Sequence, residues 1–261
     1  MKTSTTQNKS FFKRAIVRKF LVAFFWLAVW ELVCIIVRQE ILIVSPVRVF
    51  QRLLELGMTA DFWLTTFHSM LRILYGFLIA VGAGTLLAVL THVSGIAYDL
   101  AHPILSIVKA TPVASFIILA LVWIKTPGVP VFTAFLMVVP VVWQNVTNGI
   151  LKTDRKLLQM ADSYQFGKWK TVVKVYIPSV MPFFMAACTT GMGLAWKAGI
   201  AAEVLAASRF SIGGQIYNAK IYIESADLFA WTAVVILMSV ILEKLMVLIM
   251  RSVSRRYRVS F

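Results

Sequence analysis

An all-α membrane protein is what this sequence predicts. Of its 261 residues 60% are hydrophobic and only 14% charged, and the apolar residues gather into six long runs. Soluble domains carry charge on about a quarter of their residues, and a membrane-spanning helix needs about 20 mainly apolar ones. The runs fall near residues 20–37, 62–91, 98–124, 129–148, 175–198 and 230–250.

The elements follow in chain order. Lys13, Arg14, Arg18 and Lys19 precede Phe20–Val37 without a small-residue cleavage pattern, which reads as a basic tail (1–19) before an uncleaved first span. Ser45-Pro46 then stops the helix, and Val47–Met58, with Val49, Phe50, Leu53, Leu54 and Leu56, predicts a short interfacial helix. Gly76, Ala80, Gly84 and Ala88 form a small-residue stripe in the second span; Ala187, Gly191, Ala195 and Gly199 repeat it in the fifth. Such stripes let helix backbones approach closely in lipid. Thr111-Pro112 predicts a break in the third span that turns backbone carbonyls toward a cavity. Ser208–Asp227, with Gly213-Gly214, reads as an outer loop holding a partial helix around Gln215–Tyr222. The membrane domain runs over 20–250 and a second basic tail over 251–261.

A net charge of +15 raises the question of nucleic acid, and its distribution answers it. Of 26 Lys and Arg, six precede residue 20, six lie between Lys152 and Lys174, and four are Arg251, Arg255, Arg256 and Arg258. Six spans put those three regions on one side, leaving Arg38, Arg48, Arg52, Lys125, Arg209 and Lys220 opposite. Basic residues concentrate on the cytoplasmic side of membrane proteins, so both termini and the 149–174 loop are expected there. The partner of this charge is lipid, with no nucleic acid expected.

Ionisable groups inside spans are costly and each needs an explanation. Arg72 and His68 lie one turn apart; Arg72 is either a structural partner or part of a pathway. Lys109 precedes the Thr111-Pro112 break, and Lys197 and Glu203 close the fifth span, either as a charge pair or as pathway lining. Ser115, Asn145 and Asn148 offer hydrogen bonds to a solute or to a neighbouring helix. Cys34 and Cys188 sit in apolar runs as small hydrophobes, and His68, His92 and His102 are dispersed without metal-ligand spacing. A phosphate-binding G-x-x-x-x-G-K-[ST] loop is missing, so ATP and Mg are not expected to bind this chain.

The 149–174 loop carries two apolar stripes: Leu157, Met160, Ala161, Tyr164, then Trp169, Val172, Val173, Tyr176, each at i, i+3, i+4, i+7. Lys156, Lys168, Lys170 and Lys174 flank them. The stripes suit a groove in a partner protein, or a basic helix lying on anionic lipid.

Its spacing resembles a known family. Gln159-Met160-Ala161, three residues, Gln165, nine residues, and Val175-Tyr176-Ile177-Pro178 are similar to the E-A-A, G, I-x-L-P signature of permease subunits of binding-protein-dependent ABC importers. Gln159 stands where the family usually has Glu, and Gln165 where it usually has Gly, with Gly167 two residues later. Ser69–Phe77, Lys109–Ala114, Leu121-Val122-Trp123 and Gly193–Glu203 resemble the nitrate, sulfonate and taurine branch.

The resemblance implies a type I importer fold with six spans. It makes residues 152–174 coupling helices that dock on ATPase subunits through Leu157, Gln159, Met160, Ala161, Tyr164, Gln165, Gly167, Trp169 and Pro178. It implies two such ATPase subunits, a second permease copy in a homodimer, an extracytoplasmic solute-binding protein and a bacterial plasma-membrane location. Cargo would be a sulfonate-, nitrate- or taurine-like anion, or a heterocycle of the thiamine-precursor type. Arg72, Lys109, Ser115, Lys197 and Glu203 are the candidate pathway residues. The alternative is a secondary transporter or channel without an ATPase, whose coupling acids would be Glu31, Glu203 or Glu243. A membrane enzyme would need a clustered catalytic set that the sequence does not offer.

Overall fold

The computed structural model describes residues 5–257, and every regular element among them is helical. In order these are α1 (Thr5–Val37), α2 (Pro46–Gly57), α3 (Ala60–Val93), α4 (Gly95–Ala110), α5 (Val113–Trp123), α6 (Val129–Leu151), α7 (Arg155–Ser163), α8 (Lys168–Thr171), α9 (Ile177–Leu205), α10 (Ile212–Ile221) and α11 (Ser225–Tyr257). Residues 1–4 and 258–261 of the two basic tails lie outside the described residues. The first helix starts at Thr5, so it continues through most of the stretch expected as a separate tail.

Among the described residues five segments are long and apolar enough to cross a membrane: Phe20–Val37, Ala60–Val93, Thr126–Leu151, Lys168–Leu205 and Ser225–Ser254. The expected third span is not one straight helix. Instead α4 and α5 meet at 108°, and count as a sixth span only as a bent pair. Thr111 is extended (φ −84°, ψ 133°) because a residue before proline is driven out of the helical region, and Pro112 caps α5.

The bundle is organised on α3, α6 and α9, which make the most extensive helix contacts. Both small-residue stripes are buried at these contacts, as the sequence predicts. A Cβ on Gly84 would stand 2.8 Å from Val142 Cβ, and one on Gly76 would strike the Val131 carbonyl. Gly191 lies against Val138 and Gly199 against Ile73. Two tryptophans complete the seam with their polar ends satisfied: Trp143 Nε1 donates to Thr91 Oγ1 at 2.9 Å, and Trp196 Nε1 to the Val235 carbonyl at 3.0 Å.

Outside this core, α11 and α10 pack on α9, and α2 packs across α11. The α2 helix begins one residue before the expected Val47, with Ser45 as N-cap and Pro46 in the first turn. Its Arg52 forms a two-pronged ion pair with Asp227 in the first turn of α11, Nη2 to Oδ2 being 3.0 Å. The Asp227 and Glu55 hydrogen bonds hold the Arg52 guanidinium pKa above its ordinary value. The first span is joined near its outer end, where Trp30 meets Phe229 at 6.0 Å and Cys34 Sγ donates to the Val44 carbonyl.

Candidate functional site

The loop after α6 forms two short helices held at a fixed angle. Asp154 caps α7 by accepting from Lys156 N at 2.8 Å. At the other end Phe166 N donates to Ala161 O at 2.8 Å and Gln165 N to Asp162 O at 2.9 Å, a complete Schellman turn. That turn requires a left-handed residue, and Gln165 supplies it at φ 52°. The family's glycine at this place is thereby explained: it takes φ > 0 without the cost of a Cβ. Gly167 does not take over the turn, for it is extended (φ −61°, ψ 155°) and caps α8.

Most of the expected docking residues do present an open face. Leu157 (40% exposed), Met160 (42%), Tyr164 (73%) and Trp169 (78%) are large apolar groups uncovered in this chain. Gln159, Gln165 and Gly167 are exposed beside them. Ala161 turns the other way and is fully buried, on the side where α7 packs against the segment entering α9. Lys170 Nζ lies 4.0 Å from the Phe166 ring, bracing the corner.

That entering segment, Val172–Tyr176, is π-helical rather than the α-helical stripe the sequence predicts. Pro178, in the first turn of α9, is the physical reason. It has no N–H for the Lys174 carbonyl and its ring crowds that carbonyl, and a wider i→i+5 turn relieves both. Pro178 therefore sets the π-helical turn of the connection, half-buried at the root of the loop.

The polar residues of the spans separate into two groups. At the outer end Glu203 is fully buried; its Oε2 accepts from Ser69 Oγ at 2.8 Å and from Gly213 N at 3.2 Å. Ser69 Oγ in turn accepts from Ile212 N at 2.9 Å, and Ser211 caps the same helix through Gly214 N. This corner ties α3, α9 and α10 together. Gly213 is required there, because a Cβ would collide with Glu203. Arg72 is half-buried near Glu203, with Nη1 unpartnered among the described residues. Lys197 is exposed and does not pair with Glu203, so the expected end-closing charge pair is absent among the described residues.

The second group lies deeper. Lys109 Nζ donates to Gln144 Oε1 at 3.3 Å and stands 6.0 Å from the Trp143 ring. Ser115 is exposed on α5, Asn148 is exposed on α6, and Asn145 donates to the Val141 carbonyl of its own helix. His68 is likewise turned to its own helix, Nδ1 lying 2.8 Å from the Leu64 carbonyl. Gln144 and Ser69 were not singled out from the sequence. An amide inside the apolar run 129–148 was a visible signal for Gln144, whereas nothing local links Ser69 to Glu203.

Five or six helices long and apolar enough to cross a membrane, with an exposed two-helix loop at one end, define an integral-membrane helical protein. Residues 80–259 match the binding-protein-dependent transport system inner membrane component, and the chain belongs to that family. It is 24% identical over 196 residues to the nitrate import permease protein of Leptolyngbya laminosa, covering 70% of this chain and 69% of that one. It is 21% identical over 220 residues to the taurine transport system permease protein of Escherichia coli (strain K12), covering 82% and 80%. A probable ABC transporter permease protein of Brucella melitensis biotype 1 is 25% identical over 207 residues, covering 77% and 82%. The relatives include permeases of the nitrate, sulfonate and taurine branch of ABC transporters.

Proposed function

We propose that this chain is the membrane subunit of an ATP-driven, binding-protein-dependent importer of a small solute. Two copies form the conduit, two separate ATPase subunits bind ATP and Mg, and an extracytoplasmic binding protein delivers cargo. The chain itself is a transport subunit and not an enzyme. Its place is a bacterial plasma membrane, with both termini and the α7–α8 loop cytoplasmic, as the basic residues favour.

The observation that carries this reading is the uncovered face of Leu157, Met160, Tyr164 and Trp169 on a rigidly capped corner. Exposed aromatic groups in a fixed frame suit a protein groove, with Lys156 and Lys168 at its rim. The π-helical root joins that corner directly to α9, so movement of the loop reaches the centre of the bundle. ATP-driven closure of the ATPase pair would shift the corner and alternate access across the membrane. The nitrate and taurine permeases among its relatives favour an anionic cargo of that kind.

The test is co-purification with the ABC ATPase subunits of the source organism, followed by ATP hydrolysis with and without loaded binding protein. A stable complex whose hydrolysis rises with loaded binding protein is the expected result. Failure of the ATPase to associate overturns the proposal.

A further inference from the structure

The deeper polar group is part of a larger face. Along α4, Tyr98, His102 and Lys109 follow at i, i+4 and i+11, so all three lie on one flank, and all are exposed. Ile96, Leu100, Ile104 and Ile107 are also exposed but fall on the opposite flank. One helix thus presents two different surfaces, an apolar one suited to hydrocarbon and a polar one that is not. On α6 the exposed Gln144 and Asn148, one turn apart, continue the polar side.

Trp143 organises this face. It is buried, and its ring lies 6.1 Å from Tyr98, 6.3 Å from His102 and 6.0 Å from Lys109 Nζ. Tyr98 and His102 rings are also paired at 5.4 Å. Residues spread over three turns of α4 thus approach one indole of α6. Gln144 is seven residues from the end of α6 that bears the basic loop, about 10 Å at 1.5 Å per residue. A bare ammonium facing hydrocarbon beside a membrane-crossing helix is strongly disfavoured.

The donors are matched to an anion. Lys109 has no carboxylate partner among the described residues. Its bond to Gln144 Oε1 leaves two ammonium N–H groups and the Gln144 NH2 as further donors. The Tyr98 hydroxyl and the His102 imidazole add two further donors. Asp99 is exposed on α4 but lies about 100° round the helix from Tyr98 and forms no ion pair with Lys109.

We propose that Tyr98, His102, Lys109 and Gln144 form a solute station in the inner half of the conduit, specific for a small oxyanion such as a sulfonate or carboxylate group. It rests on the permease reading and narrows it to one class of cargo. The ammonium supplies charge, the amide and phenol supply direction, and the buried Trp143 holds them in place.

The test reads water and electrostatic potential at this face without transport. In the full complex, with Cys34 and Cys188 replaced by Ala, Gln144→Cys is treated with the anionic sulfonate reagent sulfonatoethyl methanethiosulfonate and with its trimethylammonium counterpart. Both are expected to modify Gln144→Cys, whereas Ile104→Cys on the opposite flank resists both. Adding Lys109→Gln should slow the sulfonate reagent about threefold and speed the cationic one, as a unit charge about 6 Å away in water does; Lys109→Arg should preserve the original ratio. Resistance of Gln144→Cys to both reagents would mean that this face is closed against a second copy or lipid, and overturns the station. An unchanged ratio with Lys109→Gln also overturns it. ATPase association is scored in the same preparation, so loss of the permease reading is distinguished from loss of the station.

Discussion

Ser69 and Glu203 stand 134 positions apart in sequence and share a 2.8 Å hydrogen bond in the buried outer corner of the bundle. The Ser69 hydroxyl donates to the carboxyl while accepting from Ile212 N, so one side chain of α3 holds both the end of α9 and the start of α10. Ser69→Ala leaves a carboxyl oxygen and a backbone N–H short of partners in a buried site, at a cost of about 1–3 kcal/mol. Gly213→Ala forces a methyl group onto Glu203 and is expected to cost at least as much. Thermal unfolding of the detergent-solubilised protein should show both losses. A Ser69→Ala variant as stable as the parent would mean that the corner is not held by this bond.

The exposed face of α7 and α8, proposed above as the ATPase contact, makes a sharper separation between folding and assembly. Met160→Asp with Tyr164→Asp alters two exposed side chains, of which Tyr164 makes a tilted ring contact with Phe166 at 6.4 Å, so membrane insertion should be retained and thermal stability little changed. Association with the ATPase, or ATP-driven uptake, should be abolished, because charge is placed in the centre of an apolar contact. Ala161→Leu is the converse case: Ala161 is fully buried, and a larger side chain should loosen α7 from its support. Normal uptake by the double Asp variant would remove the loop from the docking role.

Gln165 tests the turn between α7 and α8. Its φ of 52° costs a non-glycine residue roughly 1 kcal/mol, and more for a β-branched one. Gln165→Gly should therefore leave coupling intact and stability equal or slightly higher, while Gln165→Val should lower both. Uptake measured in parallel with thermal unfolding should rank Gly and Gln together above Val.

The sequence made some of these features readable and hid others for identifiable reasons. Five of the span positions, the Ser45-Pro46 break and both small-residue stripes depend on local pattern, and they were legible. Gln165 was legible only as a departure from a family pattern; its left-handed conformation emerged with the turn. The 108° bend between α4 and α5 was half legible, since Thr111-Pro112 predicts a break but not its angle. The Ser69–Glu203–Gly213 corner and the Trp143 hub were not, because each joins residues from separate helices whose relative placement no local pattern encodes.

Arg52 and Asp227 join α2 to the first turn of α11 by a two-pronged ion pair, part-buried on the Asp227 side. Asp227 also benefits from the positive end of the α11 dipole. The pair is partly open to solvent, so its coupling energy should be modest, about 1 kcal/mol by a double-mutant cycle of Arg52→Ala and Asp227→Ala. Raising the salt concentration should reduce it. A coupling energy indistinguishable from zero at low salt would show that α2 is held by its apolar contacts alone.

Two glycines of α3, only two residues apart, should respond oppositely to the same change. Gly84 faces α6, and a Cβ there would stand 2.8 Å from Val142 Cβ and 3.0 Å from the Val139 carbonyl, neither of them the end of a flexible side chain. Gly82 is exposed, and an added Cβ meets nothing within 4 Å. Because α3 and α6 pack without a hydrophobic driving force between them in lipid, the close approach at Gly84 is what their contact depends on. Gly84→Leu should therefore part the two helices, costing roughly 3 kcal/mol or more and yielding protein that aggregates on size-exclusion chromatography. Gly82→Leu should yield a well-folded protein, stabilised by removal of a helix glycine. Equal behaviour of the two variants would mean that the α3–α6 seam is not the tight contact on which the bundle is built.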